Sequence, residues 1–121
     1  MEQVTRKFDV QVPKIKYEDL NIDSFDTIID VRSPSEFKED HITHSINLPV
    51  LSDEERALVG KTYKLDSRFK ARKIGASLIA RNTAGHLSST LFSKDREWKP
   101  LIYCWRGGQR SSSFATILAE I

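Results

Sequence analysis

The stretch Pro100-Leu101-Ile102-Tyr103-Cys104-Trp105-Arg106-Gly107-Gly108-Gln109-Arg110-Ser111-Ser112-Ser113 constrains the fold more than any other part of the chain. Leu101 to Tyr103 is a short apolar run bounded by Pro100, the pattern of a buried strand. Phe114, Ile117, Leu118 and Ile121 follow at helical spacing, so a helix is predicted there, with Ser111 to Ser113 as its N-cap region. Cys104, the only cysteine, falls at the turn between the two. Gly107 and Gly108 lack a Cβ and tolerate positive φ, so successive N–H groups can converge on one point as an anion nest. The N-terminal end of the predicted helix and the charges of Arg106 and Arg110 add to the same positive focus. Such surroundings favour the thiolate over the thiol. Cys104 is therefore a candidate nucleophile, and Trp105, Arg106, Gly107, Gly108, Gln109 and Arg110 form a candidate oxyanion-binding loop. The competing reading, a small buried hydrophobe, does not account for two arginines, two glycines and three serines within the nine positions after the cysteine.

A chain of 121 residues is one domain's worth. One cysteine cannot form an internal disulfide, no apolar run approaches the length of a membrane span, and Met1 to Lys7 lacks the apolar core of a signal peptide. A cytoplasmic setting with no membrane partner is the expectation. The formal net charge of +2 argues neither for nor against nucleic acid. His41, His44 and His86 show no metal-ligand spacing with Cys104, so no metal site is expected.

In chain order, Ile15-Lys16-Tyr17 reads as a short first strand, with a turn at Glu18-Asp19-Leu20. Phe25 to Val31 is a β-branched run ending in charge, the mark of a buried parallel strand. Ser33-Pro34-Ser35-Glu36 has the spacing of a capping box with proline in the first helical turn. Ser45 to Pro49 reads as another strand, Asp53 to Val59 as a helix start, and Ala71 to Ala80 as a helix weakened by Gly75. Asn82 to Ser89 and Ser93 to Lys99 read as loops around an apolar step. The order predicts an α/β domain with a mainly parallel sheet, whose ligands bind beyond the C-terminal strand ends, near Arg32 and Cys104.

These residues are similar to a known family. Asp30-Val31-Arg32-Ser33-Pro34-Ser35-Glu36-Phe37, then His41-Ile42 and Ile46-Asn47-Leu48-Pro49, resembles the first signature of rhodanese domains. Tyr103-Cys104-Trp105-Arg106-Gly107-Gly108-Gln109-Arg110-Ser111 resembles the active-site strand and loop of one branch, the bacterial tRNA 2-selenouridine synthases. Asp53 to Gly60 with Tyr63-Lys64 is similar to an insertion of the same enzymes. The resemblance covers residues 14–121, leaving 1–13 as an N-terminal extension. Two departures stand out. The rhodanese signature has glycine before His41-Ile42 and Gly-Ala after it, whereas this chain has Asp40 and Thr43-His44-Ser45.

The resemblance implies a rhodanese-like three-layer domain that stops at Ile121, short of its last strand and of a C-terminal P-loop domain. It implies replacement of sulfur by selenium in wobble 2-thiouridine of tRNA, with selenophosphate as co-substrate, geranyl diphosphate for a second activity, and no tightly bound cofactor. Cys104 would be the nucleophile that bears or relays the chalcogen, the 105–110 loop would hold the oxyanion, and Asp30, Arg32 and Glu36 would support it. It further implies that these residues alone are marginally stable and inactive on tRNA, with the segment before residue 20 off the sheet. Two other functions fit the residues: a phosphatase, from the Cys-x5-Arg spacing of Cys104 and Arg110, and a non-enzymatic sulfur-carrier or interaction module. Finally, Lys61, Lys64, Arg68, Lys70, Arg72 and Lys73, interleaved with Tyr63 and Phe69, suit either a solvated helix face or contact with the tRNA backbone.

Overall fold

The computed structural model describes residues 13–104 and 109–121. Its centre is β1 (Thr27–Asp30), the β-branched run of the sequence, with β2 (Ile46–Asn47) on one side and β3 (Pro100–Tyr103) on the other. Both neighbours run parallel to β1, giving the order β2-β1-β3. Parallel pairs require crossover connections. Here α1 (Pro34–Glu39) separates β1 from β2, α2 (Asp53–Leu65) and α3 (Arg68–Ser88) separate β2 from β3, and α4 (Gln109–Ala119) follows β3. Asp30 stands opposite both Asn47 and Tyr103, so the C-terminal ends of all three strands, and Cys104 just beyond β3, gather at one end of the sheet.

Alternation along the strands sends Ile29, Val31 and Ile102 to one face, where they meet Leu48, Val50, Leu91 and Phe114, with Ile79 and Leu87 of α3 and Leu118 of α4 around them. Phe114 is fully buried, and sequestering a ring of that size contributes on the order of 2–3 kcal/mol. This is the periodicity that predicted α4, with its core face at Phe114 and Leu118.

Four local expectations change. Ile15-Lys16-Tyr17 is not a strand: residues 13–16 have no regular structure and Tyr17–Asp19 is a 3-10 turn. No described residue before Asp26 has a backbone hydrogen bond to the sheet, although Pro13 to Ile15 line a groove together with β3. The strand over Ser45–Pro49 shrinks to Ile46–Asn47. The helix over Ala71–Ala80 runs from Arg68 to Ser88 and absorbs the loop predicted at Asn82–Ser89. Tertiary contacts explain the extension. Gly75 is buried beside α2, where a Cβ would stand in ordinary contact 3.7 Å from Val59, so packing on α2 holds the helix through this position despite the ~1 kcal/mol helix cost of glycine, and does not itself require glycine. Asn82 donates to the Val50 carbonyl (2.8 Å) and to Glu55 (2.9 Å), while His86 lies 2.7 Å from the Pro49 carbonyl. Finally, α4 starts at Gln109, so Ser111 to Ser113 fall inside its first turns rather than capping it.

The outer edge of β3 has no partner strand among the described residues. Beside it runs an apolar groove of about 600 Å³, lined by Ile15, Phe25, Ile102, Leu118, Cys104 and Ser111 among others.

Candidate functional site

The end of β1 is built around a buried ion pair. Asp30 and Arg32 are 0% and 2% exposed. Asp30 accepts the Arg32 backbone N–H (2.9 Å) and two guanidinium nitrogens, Nε at 3.0 Å and Nη2 at 2.8 Å. Nη2 also donates to the Asp40 carbonyl (2.6 Å), and the guanidinium lies 5.8 Å from the Tyr103 ring centre. Hydrogen bonding and charge from Asp30 outweigh burial and hold the Arg32 guanidinium more firmly protonated than usual. Asn47, absent from the candidate set, completes the clamp by donating to the carbonyls of Asp30 (3.0 Å) and Arg32 (2.9 Å). Tyr103, one residue before Cys104, accepts the Ile42 N–H at its hydroxyl (3.0 Å). Burial pushes its phenol up, against the hydrogen bonds from Ser45 and Ile42.

Of the two departures from the rhodanese signature, the clamp holds the first, Asp40, through its carbonyl. Asp40 is extended (φ −162°), a conformation that needs no glycine. His44, by contrast, takes φ 68°, the left-handed region that glycine occupies without strain.

Glu36 joins α1 to α4. As the capping-box residue it accepts the Ser33 N–H (3.1 Å) and hydroxyl (2.8 Å), which the local spacing predicts. It also receives Arg110, with Nη1 at 2.7 Å and Nη2 at 3.3 Å, and Arg56 Nε stands 3.5 Å away. Burial alone would raise the Glu36 carboxyl, but hydrogen bonds from Arg110 and Ser33, with the charge of Arg110, hold it down at about 2. Of the expected supporting set, then, Asp30 and Arg32 pair with each other, while Glu36 pairs with Arg110 of the candidate loop.

Cys104 leaves β3 half-buried, with its thiol against the first turn of α4. The Ser111 N–H donates to Sγ at 3.4 Å, and the thiol donates to the Ser111 hydroxyl at 3.3 Å. Ser111 is the third residue of α4, where backbone N–H groups have no partner within the helix. Its hydroxyl can rotate to donate to a thiolate instead, so one side chain serves both protonation states. Ser111 lies just past the candidate loop of residues 105–110; its place seven residues after Cys104 becomes a signal only once the helix start is known. Gln109 is the exposed first residue of α4. Trp105, Arg106, Gly107 and Gly108 lie outside the described residues.

A second groove, of about 480 Å³, runs between Arg110 and the first half of α2, lined by Ser35, Asp53, Arg56, Ala57 and Gly60 among others. Among the described residues no three His, Cys, Asp or Glu side chains are grouped to hold a metal ion, and no helix is long and apolar enough to cross a membrane.

The family model described as the rhodanese-like domain matches residues 14–121. A tRNA 2-selenouridine synthase of Nitrosomonas europaea is 40% identical over 85 residues, covering 69% of this chain and 22% of that protein. Another from Sulfurovum sp. is 39% identical over 95 residues, covering 77% and 26%. The chain thus spans about a quarter of the length of the curated relatives it matches. Among solved structures, the N-terminal domain of a protein from Clostridium difficile 630 described as ATP/GTP-binding superimposes with a TM-score of 0.62 at 30% identity, over 77% of this chain and 72% of that one.

Proposed function

This chain belongs to the rhodanese-like domain family, and on that premise we propose that it is the cysteine-bearing module of a tRNA 2-selenouridine synthase. The observation that carries the proposal is Sγ of Cys104 set against the N-terminal turn of α4, receiving the Ser111 N–H. That turn offers Sγ a backbone N–H donor and the positive end of the α4 dipole, the surroundings a reactive cysteine uses. Relatives bearing that enzyme's name match at 33–40% identity, which supports the same chemistry here.

On this reading Cys104 is the nucleophile that bears or relays the chalcogen while selenium replaces sulfur in wobble 2-thiouridine of tRNA. Selenophosphate is the donor, its oxyanion held by the N–H groups of Trp105 to Arg110. Geranyl diphosphate is the co-substrate of a second reaction at the same sulfur. Asp30, Arg32 and Glu36 are positioning residues: the first two fix the turn after β1, and Glu36 orients Arg110. A P-loop domain, which the resemblance implies, is its partner in the enzyme. A lone free thiol acting on RNA suits the cytoplasm.

The direct test uses thiosulfate as the chalcogen donor. The Cys104 thiolate attacks the outer sulfur, a new S–S bond forms as the S–S bond of thiosulfate breaks, and sulfite leaves with the electron pair. Intact-mass spectrometry is expected to show one added sulfur on the parent and none on Cys104→Ser, with sulfite released in equal amount. An unmodified parent, or equal modification of the serine variant, would overturn the nucleophile assignment. The phosphatase alternative needs Arg110 free to grip phosphate, whereas its guanidinium is bound to Glu36. Arginine-dependent hydrolysis of p-nitrophenyl phosphate would reverse that ordering.

A further inference from the structure

α2 and α3 form an antiparallel hairpin: Glu55 meets Arg81 (3.0 Å) and Asn82 near one end, and Gly75 packs on Val59 further along. Every residue from Tyr63 to Lys70, across the corner where the two helices join, is exposed. The corner and its flanks carry Lys61, Lys64, Arg68, Lys70, Arg72 and Lys73 against one acid, Asp66, so the rest of the chain is net negative. Lys70 is neutralised by Asp66 at 2.9 Å. Among the described residues no carboxylate lies within 4.0 Å of the other five cations.

A solvated helix face explains the cations but not what stands between them. Phe69 is 68% exposed and Tyr63 47%. Each ring carries a cation near one face, Lys73 Nζ at 4.9 Å from Phe69 and the Arg68 guanidinium at 5.4 Å from Tyr63. Cations beside exposed aromatic faces are the combination that holds RNA, the cations on phosphates and the rings under unpaired bases. An anionic membrane would call for one continuous apolar face; here apolar and charged side chains are interleaved along Tyr63-Lys64-Leu65-Asp66 and Arg68-Phe69-Lys70.

We propose that the α2–α3 corner is an RNA-binding surface, which rests on the reading above that the substrate is RNA. Its position suits that role. The first half of α2 lines the second groove together with Arg110, and at about 1.5 Å per residue the corner lies within roughly 20 Å of the start of α2. Gly60, mid-helix and on that groove, has nothing within 4 Å of where a Cβ would stand. The fold does not require glycine there, and its absence of side chain leaves the helix backbone open to a strand passing from the corner toward Arg110.

The test is fluorescence anisotropy of the chain with a labelled single-stranded RNA and with a stem–loop RNA across a salt series. Lys64→Ala/Arg72→Ala is expected to weaken binding and to lower the slope of log affinity against log salt by about 1–2, since each lost phosphate contact removes roughly 0.7–0.9. Phe69→Ala is expected to weaken binding about tenfold with the slope unchanged, because stacking releases no counterions. Lys16→Ala/Lys38→Ala, elsewhere on the surface, should match the parent. All of these positions are exposed, so unchanged circular dichroism spectra are expected. Absence of RNA binding by the parent, a Phe69→Ala variant that binds like the parent, or equal losses in the Lys16/Lys38 control would overturn the proposal. So would capture of the parent by phosphatidylserine vesicles in preference to RNA. Thiosulfate labelling of Cys104 reads the parent reading separately: labelling retained without RNA binding overturns the surface alone, and RNA binding retained without labelling overturns the nucleophile alone.

Discussion

Glu36→Gln should cost the domain about 3 kcal/mol at neutral pH, and the cost should vanish in acid. The side chain is only 15% exposed and holds Ser33 and Arg110 at once, with Arg56 nearby. Its carboxyl is held down from 4.5 to about 2, burial opposing and the hydrogen bonds from Arg110 and Ser33 prevailing. A depression of that size corresponds to about 3 kcal/mol of preference for the ionised form in the folded state. Loss of a charge-assisted hydrogen bond independently gives roughly 1.5–3 kcal/mol. A lowered carboxyl stabilises the fold above its unfolded value, and the gain disappears as pH falls through the folded value. The parent-minus-variant difference should therefore be full above pH ~5 and fade between about 4.5 and 2. Urea unfolding followed by tryptophan fluorescence reads it, since Trp98 is anchored to Thr27 by a 2.8 Å hydrogen bond. Comparing the two proteins cancels Asp53 and Glu55, also held low by their hydrogen bonds to Ser35 and Ser52. Against a net stability of about 5–15 kcal/mol the loss is measurable without being fatal. A difference under about 1 kcal/mol at neutral pH, or one that persists to about pH 2, would refute the reasoning.

Arg110→Ala should slow alkylation of Cys104 by iodoacetamide at neutral pH, because it removes positive charge beside the start of α4; an unchanged rate would count against the arginine's role at the thiol. His44→Gly should stabilise the domain by about 0.5–1 kcal/mol, relief of the left-handed strain exceeding the added chain entropy, and a lower melting temperature would show the strain to be absorbed elsewhere. In the β1–β3 ladder the Val31 N–H bonds to the Tyr103 carbonyl, so with Ile29 opposite Ile102 the Ile102 N–H faces the open edge. Its amide should exchange with solvent far faster than those of Val31 and Tyr103, and equal protection of all three would reveal a partner on that edge.

Several parts of this protein are legible in the sequence because their physics is local. The β-branched run of β1, the helical spacing of Phe114 and Leu118, and the Ser33–Glu36 capping box each depend on residues within a turn or two of one another. The cysteine at a strand-to-helix turn is visible for the same reason, and so is the family signature. Where local cues misled, a distant partner had overruled them. Asn82 and His86 look like loop residues until Val50, Glu55 and Pro49 take their polar atoms, and Gly75 looks like a helix breaker until Val59 packs on it. Ile15 is strand-like by composition, yet no described strand offers it a ladder. The site itself was decided by closure of the chain. Glu36 and Arg110 are 74 positions apart, and either could have paired with nearer charges. They meet because parallel β1 and β3 bring the start of α1 and the start of α4 to the same end of the sheet, a consequence of strand order that local residue patterns do not encode.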